Sequence, residues 1–81
     1  MRKERSYTLE EILEYEKTRR NEDGMFGINA CKDCIRFYLD QGADLKSLLD
    51  NFVKRANEDM FFNKAMVLAC WEMLEEQAVV K

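Results

Sequence analysis

The sequence predicts an all-α fold, a compact four-helix bundle, from three observations. The 81 residues include no proline and only 3 glycines, so few positions interrupt a helix. Threonine and valine are scarce, which leaves little material for strands. Apolar residues recur at helical spacing between turn signals. We expect one small domain over residues 1–81, frayed at 1–6 and 78–81. A three-helix core with the N-terminal helix laid across it is the alternative.

The stretch from Met60 to Leu74, MFFNKAMVLACWEML, is predicted to be the central helix, with three shorter helices packed on it. The charged side chains of Lys64, Glu72 and Glu75 fall within a sector of roughly 80° on the helical wheel. The remaining apolar face is about 200° wide, whereas a surface helix usually shows a stripe a little over ~100° wide. Such a helix is either buried on two sides within its own fold or completed by a partner. A membrane span would need ~20 apolar residues, so this stretch is too short for one.

The first helix is expected from about Leu9 to about Arg20. Thr8 and Glu11 have the spacing of a capping box at its start. Acidic residues come early in the segment and basic residues come late, which suits the helix dipole. We expect this charged face to be solvated.

Two further helices are expected, from about Ala30 to Gln41 and from about Leu45 to Ala56. Asn29 and Asp44 precede them as candidate N-caps, and Gly42 ends the earlier one. Short connections make the last three helices antiparallel neighbours. The apolar face of the earlier helix contains Cys31, Cys34, Ile35, Tyr38 and Leu39, and that of the later helix contains Leu45, Leu48, Leu49, Phe52, Val53 and Ala56.

An apolar segment, Met25-Phe26-Gly27-Ile28, separates the first two helices. Because an exposed apolar loop promotes association, we expect Phe26 and Ile28 to pack down onto the bundle. The alternative is that this segment binds a partner. No internal repeat, low-complexity segment or domain linker is identified in the chain.

The composition argues against several classes of function. The net charge is −3, whereas nucleic-acid-binding domains are usually strongly basic. The absence of histidine excludes a serine triad, a Cys–His pair and a zinc finger with histidine ligands. No apolar run follows the basic start MRKER, so we expect neither a signal peptide nor a membrane anchor. We therefore expect a cytoplasmic protein with reduced thiols and no cofactor.

Cys31-Lys32-Asp33-Cys34 has the form of a metal or redox motif, and Cys70 is the third cysteine. A redox pair at a helix start would have a lowered thiol pKa, but the strand that precedes such a pair in thioredoxin-like folds is missing. A structural zinc site needs four ligands, so a carboxylate would have to complete these three. Because Cys31 and Cys34 share the apolar face, core packing is the preferred interpretation. A metal- or thiol-dependent module is the alternative function.

A helix-turn-helix regulator that binds DNA is the second alternative. The turn between helices two and three is tight, and polar side chains follow it on helix three. Tyr38, however, stands where that motif needs a small residue, and Asp44 and Asp50 would face phosphates. The polar side chains in question are Lys46, Ser47, Asn51, Lys54 and Arg55.

By exclusion, the sequence favours a non-catalytic protein-binding module whose partner is another protein or a second copy of the chain. Small acidic proteins of this kind, including those encoded by phages and mobile elements, often act as adaptors or as inhibitors of a larger protein. The over-wide face of the last helix is the predicted binding surface, since aromatic residues such as Trp71 anchor many interfaces. The candidate partner-binding residues are Val67, Trp71, Leu74, Phe26, Glu10, Glu11 and Glu14. If the target is an enzyme that handles nucleic acid, the three glutamates would engage its basic groove.

Overall fold

The computed structural model describes residues 7–79, and this part of the chain forms four α-helices without a strand. The predicted all-α four-helix bundle is therefore confirmed. The expectation of frayed ends at 1–6 and 80–81 lies outside the described residues. Residues 78 and 79 belong to the last helix. The helices are α1 (Leu9–Arg19), α2 (Ile28–Asp40), α3 (Leu45–Glu58) and α4 (Ala65–Val79).

Helix α4 is the centre of the bundle, as predicted, because α1, α2 and α3 each pack mainly on it. Four consecutive residues of α4, Val67 to Cys70, are fully buried. Consecutive residues of a helix point to different sides, so α4 is covered from several directions at once. The other three helices therefore cover most of the wide apolar face of α4.

Helix α4 begins at Ala65, five residues later than predicted. The side chains of Asp59 and Asn63 account for the difference, because they bond to nearby backbone amides in place of a continuing helix. Asp59 Oδ1 accepts a hydrogen bond of 2.9 Å from Phe61 N, and Asn63 Oδ1 accepts one of 3.2 Å from Ala65 N. The segment 59–64 is consequently a loop.

Helix α2 begins at Ile28, so Asn29 lies inside the helix and the predicted Asn29 cap is wrong. Gly27 takes the N-cap position without a side-chain hydrogen bond. A Cβ atom on Gly27 would lie 2.3 Å from the backbone oxygen of Asp23, so only glycine fits there. Ile28 is buried, and its amide donates a 2.8 Å hydrogen bond to Asn21 O, which closes the loop between α1 and α2.

The other two predicted caps are confirmed. Thr8 and Glu11 form the capping box of α1, and Asp44 caps α3 by accepting a 3.1 Å hydrogen bond from Ser47 N. Helix α3 runs antiparallel to α4, since Leu45 O near its start lies 3.4 Å from Cys70 Sγ and its later residues approach the loop that precedes α4. Within residues 7–79, none of the helices is long and apolar enough to cross a membrane.

Candidate functional site

The predicted binding face of α4 is covered by the protein itself. Val67 is 0% exposed, so its assignment to an exposed partner-binding face is wrong. Trp71 and Leu74 are partly buried against the core. Lys17 Nζ on α1 lies 4.8 Å from the centroid of the Trp71 ring, which is a cation–π geometry. Helix α1 therefore occupies much of the surface that the sequence assigned to a partner.

Ion pairs hold α1 and α2 to α4 beside this face. Arg20 Nη1 lies 2.6 Å from Glu72 Oε2, and Lys32 Nζ lies 3.1 Å from Glu72 Oε1. The hydrogen bond from Arg20 lowers the pKa of the Glu72 carboxyl, and Lys32 adds to this effect. Glu72 thus links three helices, which is a structural role.

The three cysteines do not share one environment. Cys31 and Cys70 are buried, but Cys34 is exposed, so the expectation that Cys34 packs in the core beside Cys31 is wrong. Burial raises the pKa of both the Cys31 and Cys70 thiols to about 11, the opposite of the lowering expected for a redox pair at a helix start. Cys70 Sγ donates to Leu45 O at 3.4 Å. In the described part of the chain, no three Cys, Asp or Glu side chains are grouped to hold one metal ion.

The α3 residues considered for DNA contacts are exposed. The guanidinium carbon of Arg55 lies 5.0 Å from the centroid of the Phe62 ring, so this side chain packs on the protein. Asp44 is engaged as the α3 cap beside Ser47. The structure therefore gives no further support for DNA binding by a chain whose net charge is −3.

Among residues 7–79, the four large apolar side chains with the highest exposure lie in two loops. Met25 and Phe26, between α1 and α2, are 77% and 69% exposed. Met60 and Phe61, between α3 and α4, are 80% and 87% exposed. The expectation for the first loop is thus half correct, because Ile28 packs into the core and Phe26 does not. Side chains exposed to this degree contribute little to the stability of the fold.

Asn63 joins the two loops at one end of the bundle. Its Nδ2 atom donates a hydrogen bond of 3.0 Å to Phe26 O, across 37 residues of sequence. This hydrogen bond brings the two loops together, and we call their exposed side chains, Met25, Phe26, Met60 and Phe61, the paired-loop surface. It brings together one predicted site residue, Phe26, with three that the sequence reasoning did not select.

The start of α1 lies beside the second loop. Tyr7 N donates to Asn57 Oδ1 at 2.6 Å, and Asn57 Nδ2 donates back to Tyr7 O at 3.0 Å. Tyr7, Met60 and Phe61 line one cavity of about 640 Å³. The second loop of the paired-loop surface therefore lies beside the start of α1.

The acidic residues of α1 remain candidates for contact with a partner. Glu10 and Glu14 are exposed, and the exposed ring of Tyr15 lies with them around a shallow cavity. Glu11 is partly buried, and its Oε1 atom accepts a 3.0 Å hydrogen bond from Thr8 N in the capping box. Glu11 thus has a structural role in addition to its charge.

The sequence contains a signal for the paired-loop surface that a search by helical periodicity misses. Residues 21–26 read Asn-Glu-Asp-Gly-Met-Phe, and residues 57–61 read Asn-Glu-Asp-Met-Phe. The chain therefore carries a short internal repeat, and the interpretation that it has none is wrong. The two copies differ in backbone: Gly24 has a φ of +84° in the first, whereas Asn57 and Glu58 are helical in the second. The repeat is therefore not explained by a shared turn geometry. The structural feature that the two copies share is an exposed Met-Phe pair.

No protein-family model matches this chain, and neither a curated protein nor a solved structure is significantly similar to it. The geometry of the chain is therefore the basis for a functional assignment.

Proposed function

We propose that this protein is a non-catalytic protein-binding module, acting in the cytoplasm as an adaptor or inhibitor of a larger protein. Its binding surface is the paired-loop surface. The observation that carries this proposal is the exposure of the same Met-Phe pair in two loops that Asn63 joins at one end of the bundle. Large exposed apolar side chains that cluster on a small domain mark interaction sites.

The chemistry of these side chains suits recognition. Burial of one Phe or Met side chain contributes about 1.5–3 kcal/mol, and aromatic anchors dominate interface energetics. The flexible thioethers of Met25 and Met60 let the surface adapt to the shape of a partner. Helices α1 to α4 pack without these four side chains, so selection for stability does not account for them.

The test is affinity capture from the source cell with three tagged proteins: wild type, Phe26→Ser/Phe61→Ser and Phe37→Ser. Phe37 is the matched control, since it is 61% exposed on α2, away from both loops. We expect one protein to be enriched with wild type and with the Phe37 variant and to be lost from the double variant. Urea unfolding of all three proteins establishes that the fold is intact.

Two results would contradict the proposal. Retention of the captured protein by the double variant would place the binding surface elsewhere. Sedimentation of wild type as a concentration-dependent dimer that becomes monomeric in the double variant would assign the surface to self-association, which is the homodimer alternative.

A further inference from the structure

We infer that the partner of the paired-loop surface presents an apolar cleft flanked by lysine and arginine side chains. This inference rests on the proposed function and specifies the chemistry of the partner. It follows from the order of residues in both loops, because a Glu-Asp pair precedes each Met-Phe pair, with Gly24 between the two pairs in the first loop and no residue between them in the second. Each apolar contact therefore has carboxylates at its edge.

The carboxylates at these edges are largely available to a partner. Among residues 7–79, Asp23, Glu58 and Asp59 form no ion pair, whereas Glu22 pairs with Arg20. Asp23 and Glu58 are exposed. Asp59 Oδ1 accepts a hydrogen bond from Phe61 N, and no hydrogen bond of the described residues engages its second oxygen.

The surroundings extend the same sign of charge. Glu10 and Glu14 are exposed on α1, whose start is fixed beside the second loop through Tyr7 and Asn57. Lys64 lines the cavities next to Tyr7, and Arg55 in the last turn of α3 lies over the Phe62 ring beside the second loop. Among residues 7–79, the exposed carboxylates of Glu10, Glu14, Asp23 and Glu58 outnumber these two cations, so the described part of this end carries more negative than positive charge.

Charge complementarity selects among the occupants that an apolar surface could accept. A second copy of the chain would place Asp23 and Glu58 against carboxylates of the same sign, which disfavours association. An anionic membrane surface would be repelled for the same reason. A protein surface with basic residues around an apolar cleft satisfies both the Met-Phe pairs and the carboxylates.

The test uses three synthetic peptides of equal length that alternate lysine with leucine, glutamate with leucine, and lysine with serine. Each is titrated into isotope-labelled protein and followed through the backbone amide resonances. We expect the lysine–leucine peptide to shift resonances of the two loops and to bind about tenfold more tightly than the other two peptides. We expect vesicles of phosphatidylcholine with phosphatidylserine not to bind.

Two variants separate charge from apolar contact. Asp23→Asn/Glu58→Gln keeps all four Met and Phe side chains, and we expect it to bind the lysine–leucine peptide about three- to tenfold more weakly. Asp40→Asn/Asp50→Asn is the control for net charge, since it also removes two exposed carboxylates but lies outside both loops, and it should bind as wild type does.

The outcomes distinguish this inference from the proposed function. Equal binding of the lysine–leucine and glutamate–leucine peptides at the loops would overturn the basic-partner inference and leave the protein-binding proposal in place. Shifts that map outside the loops, no binding of the lysine–leucine peptide, or binding to anionic vesicles would also overturn the inference. The proposed function itself fails if the Phe26→Ser/Phe61→Ser variant keeps the captured protein, or if the wild type is a dimer that this variant dissociates.

Discussion

The side-chain amide of Asn63 donates a 3.0 Å hydrogen bond to the backbone oxygen of Phe26. The oxygen of the same amide accepts a 3.2 Å hydrogen bond from Ala65 N at the start of α4. One side chain therefore begins the central helix and positions the first loop against the second. The two roles use different atoms, so substitutions can separate them.

We expect Asn63→Ala to lower the free energy of unfolding by about 2 kcal/mol, because it loses both the cap and the bond between the loops. Asn63→Ser keeps an acceptor for Ala65 N and loses the Nδ2 contacts with Phe26 O and Cys31 Sγ, so its loss should be about 1 kcal/mol. Both variants should bind the partner more weakly than wild type. Urea unfolding measures the difference, and equal destabilisation by the two variants would show that the bond to Ala65 N contributes nothing.

Gly27→Ala is expected to destabilise the protein by about 1–3 kcal/mol, the usual cost of forcing an atom into filled space. The added Cβ would lie 2.3 Å from the backbone oxygen of Asp23, and a backbone atom cannot move aside without opening the loop. Gly24→Asn is the control, because Asn tolerates the φ of +84° there and no atom lies within 4 Å of the added Cβ. The prediction is wrong if thermal unfolding of the Gly27 variant matches that of the control.

The thiols should differ in reactivity. Cys34 is exposed and should react rapidly with a disulfide reagent in the native protein, whereas Cys31 and Cys70 should react only as the protein unfolds. A Cys34→Ala variant should lose the rapid phase and keep its stability within about 0.5 kcal/mol. Rapid reaction of more than one thiol in native wild type would contradict the described burial.

Burial of two thiols also predicts a fall in stability at alkaline pH. The pKa of Cys31 and Cys70 is raised from 9.0 to about 11 in the folded protein. The folded state therefore keeps these protons where the unfolded chain loses them. The stabilising contribution is complete below the unfolded pKa of 9.0 and is lost as the pH rises through about 11. Unfolding free energies across this window should fall less steeply for a Cys31→Ala/Cys70→Ala variant than for wild type.

For Glu72, we predict that a contribution to stability is lost at acid pH, whereas that of the two thiols is lost at alkaline pH. Its pKa is lowered in the folded state, mainly by Arg20, so its contribution is present above the unfolded value of 4.5 and is lost as the pH falls through the folded pKa. We expect Glu72→Gln to cost about 1 kcal/mol at neutral pH. The difference from wild type should disappear in acid and shrink in high salt. A difference that persists in acid would mean that packing of Glu72, and not its charge, stabilises the protein.

The sequence predicts the four helices because the signals that specify them are local. These signals are the helical spacing of apolar residues and the N-caps Thr8 and Asp44. It does not predict the start of α4, since Asp59 and Asn63 decide that through side-chain bonds to the backbone. The assignment of Val67 to a partner face failed for a tertiary reason. A wide apolar face indicates burial but not the identity of the covering element, and here that element belongs to the same chain.

The paired-loop surface depends on which residues the fold leaves out of its core. Periodicity identifies residues that pack. Phe26 lies between predicted helices, and Phe61 lies in a stretch that is predicted to be helical but forms a loop. Repetition of the Asn-Glu-Asp-Met-Phe residues is visible in the sequence, but their common location follows only from the hydrogen bond between Asn63 and Phe26.

The central position of α4 has a consequence for the order of events during synthesis. Helices α1, α2 and α3 leave the ribosome before α4, yet each finds its main packing surface only on α4. Until Ala65–Val79 emerges, the earlier helices have no shared core, and short isolated helices are marginal in water. Folding of this domain should therefore be a late, single step, and a nascent chain that stops at Glu58 should remain open to proteases.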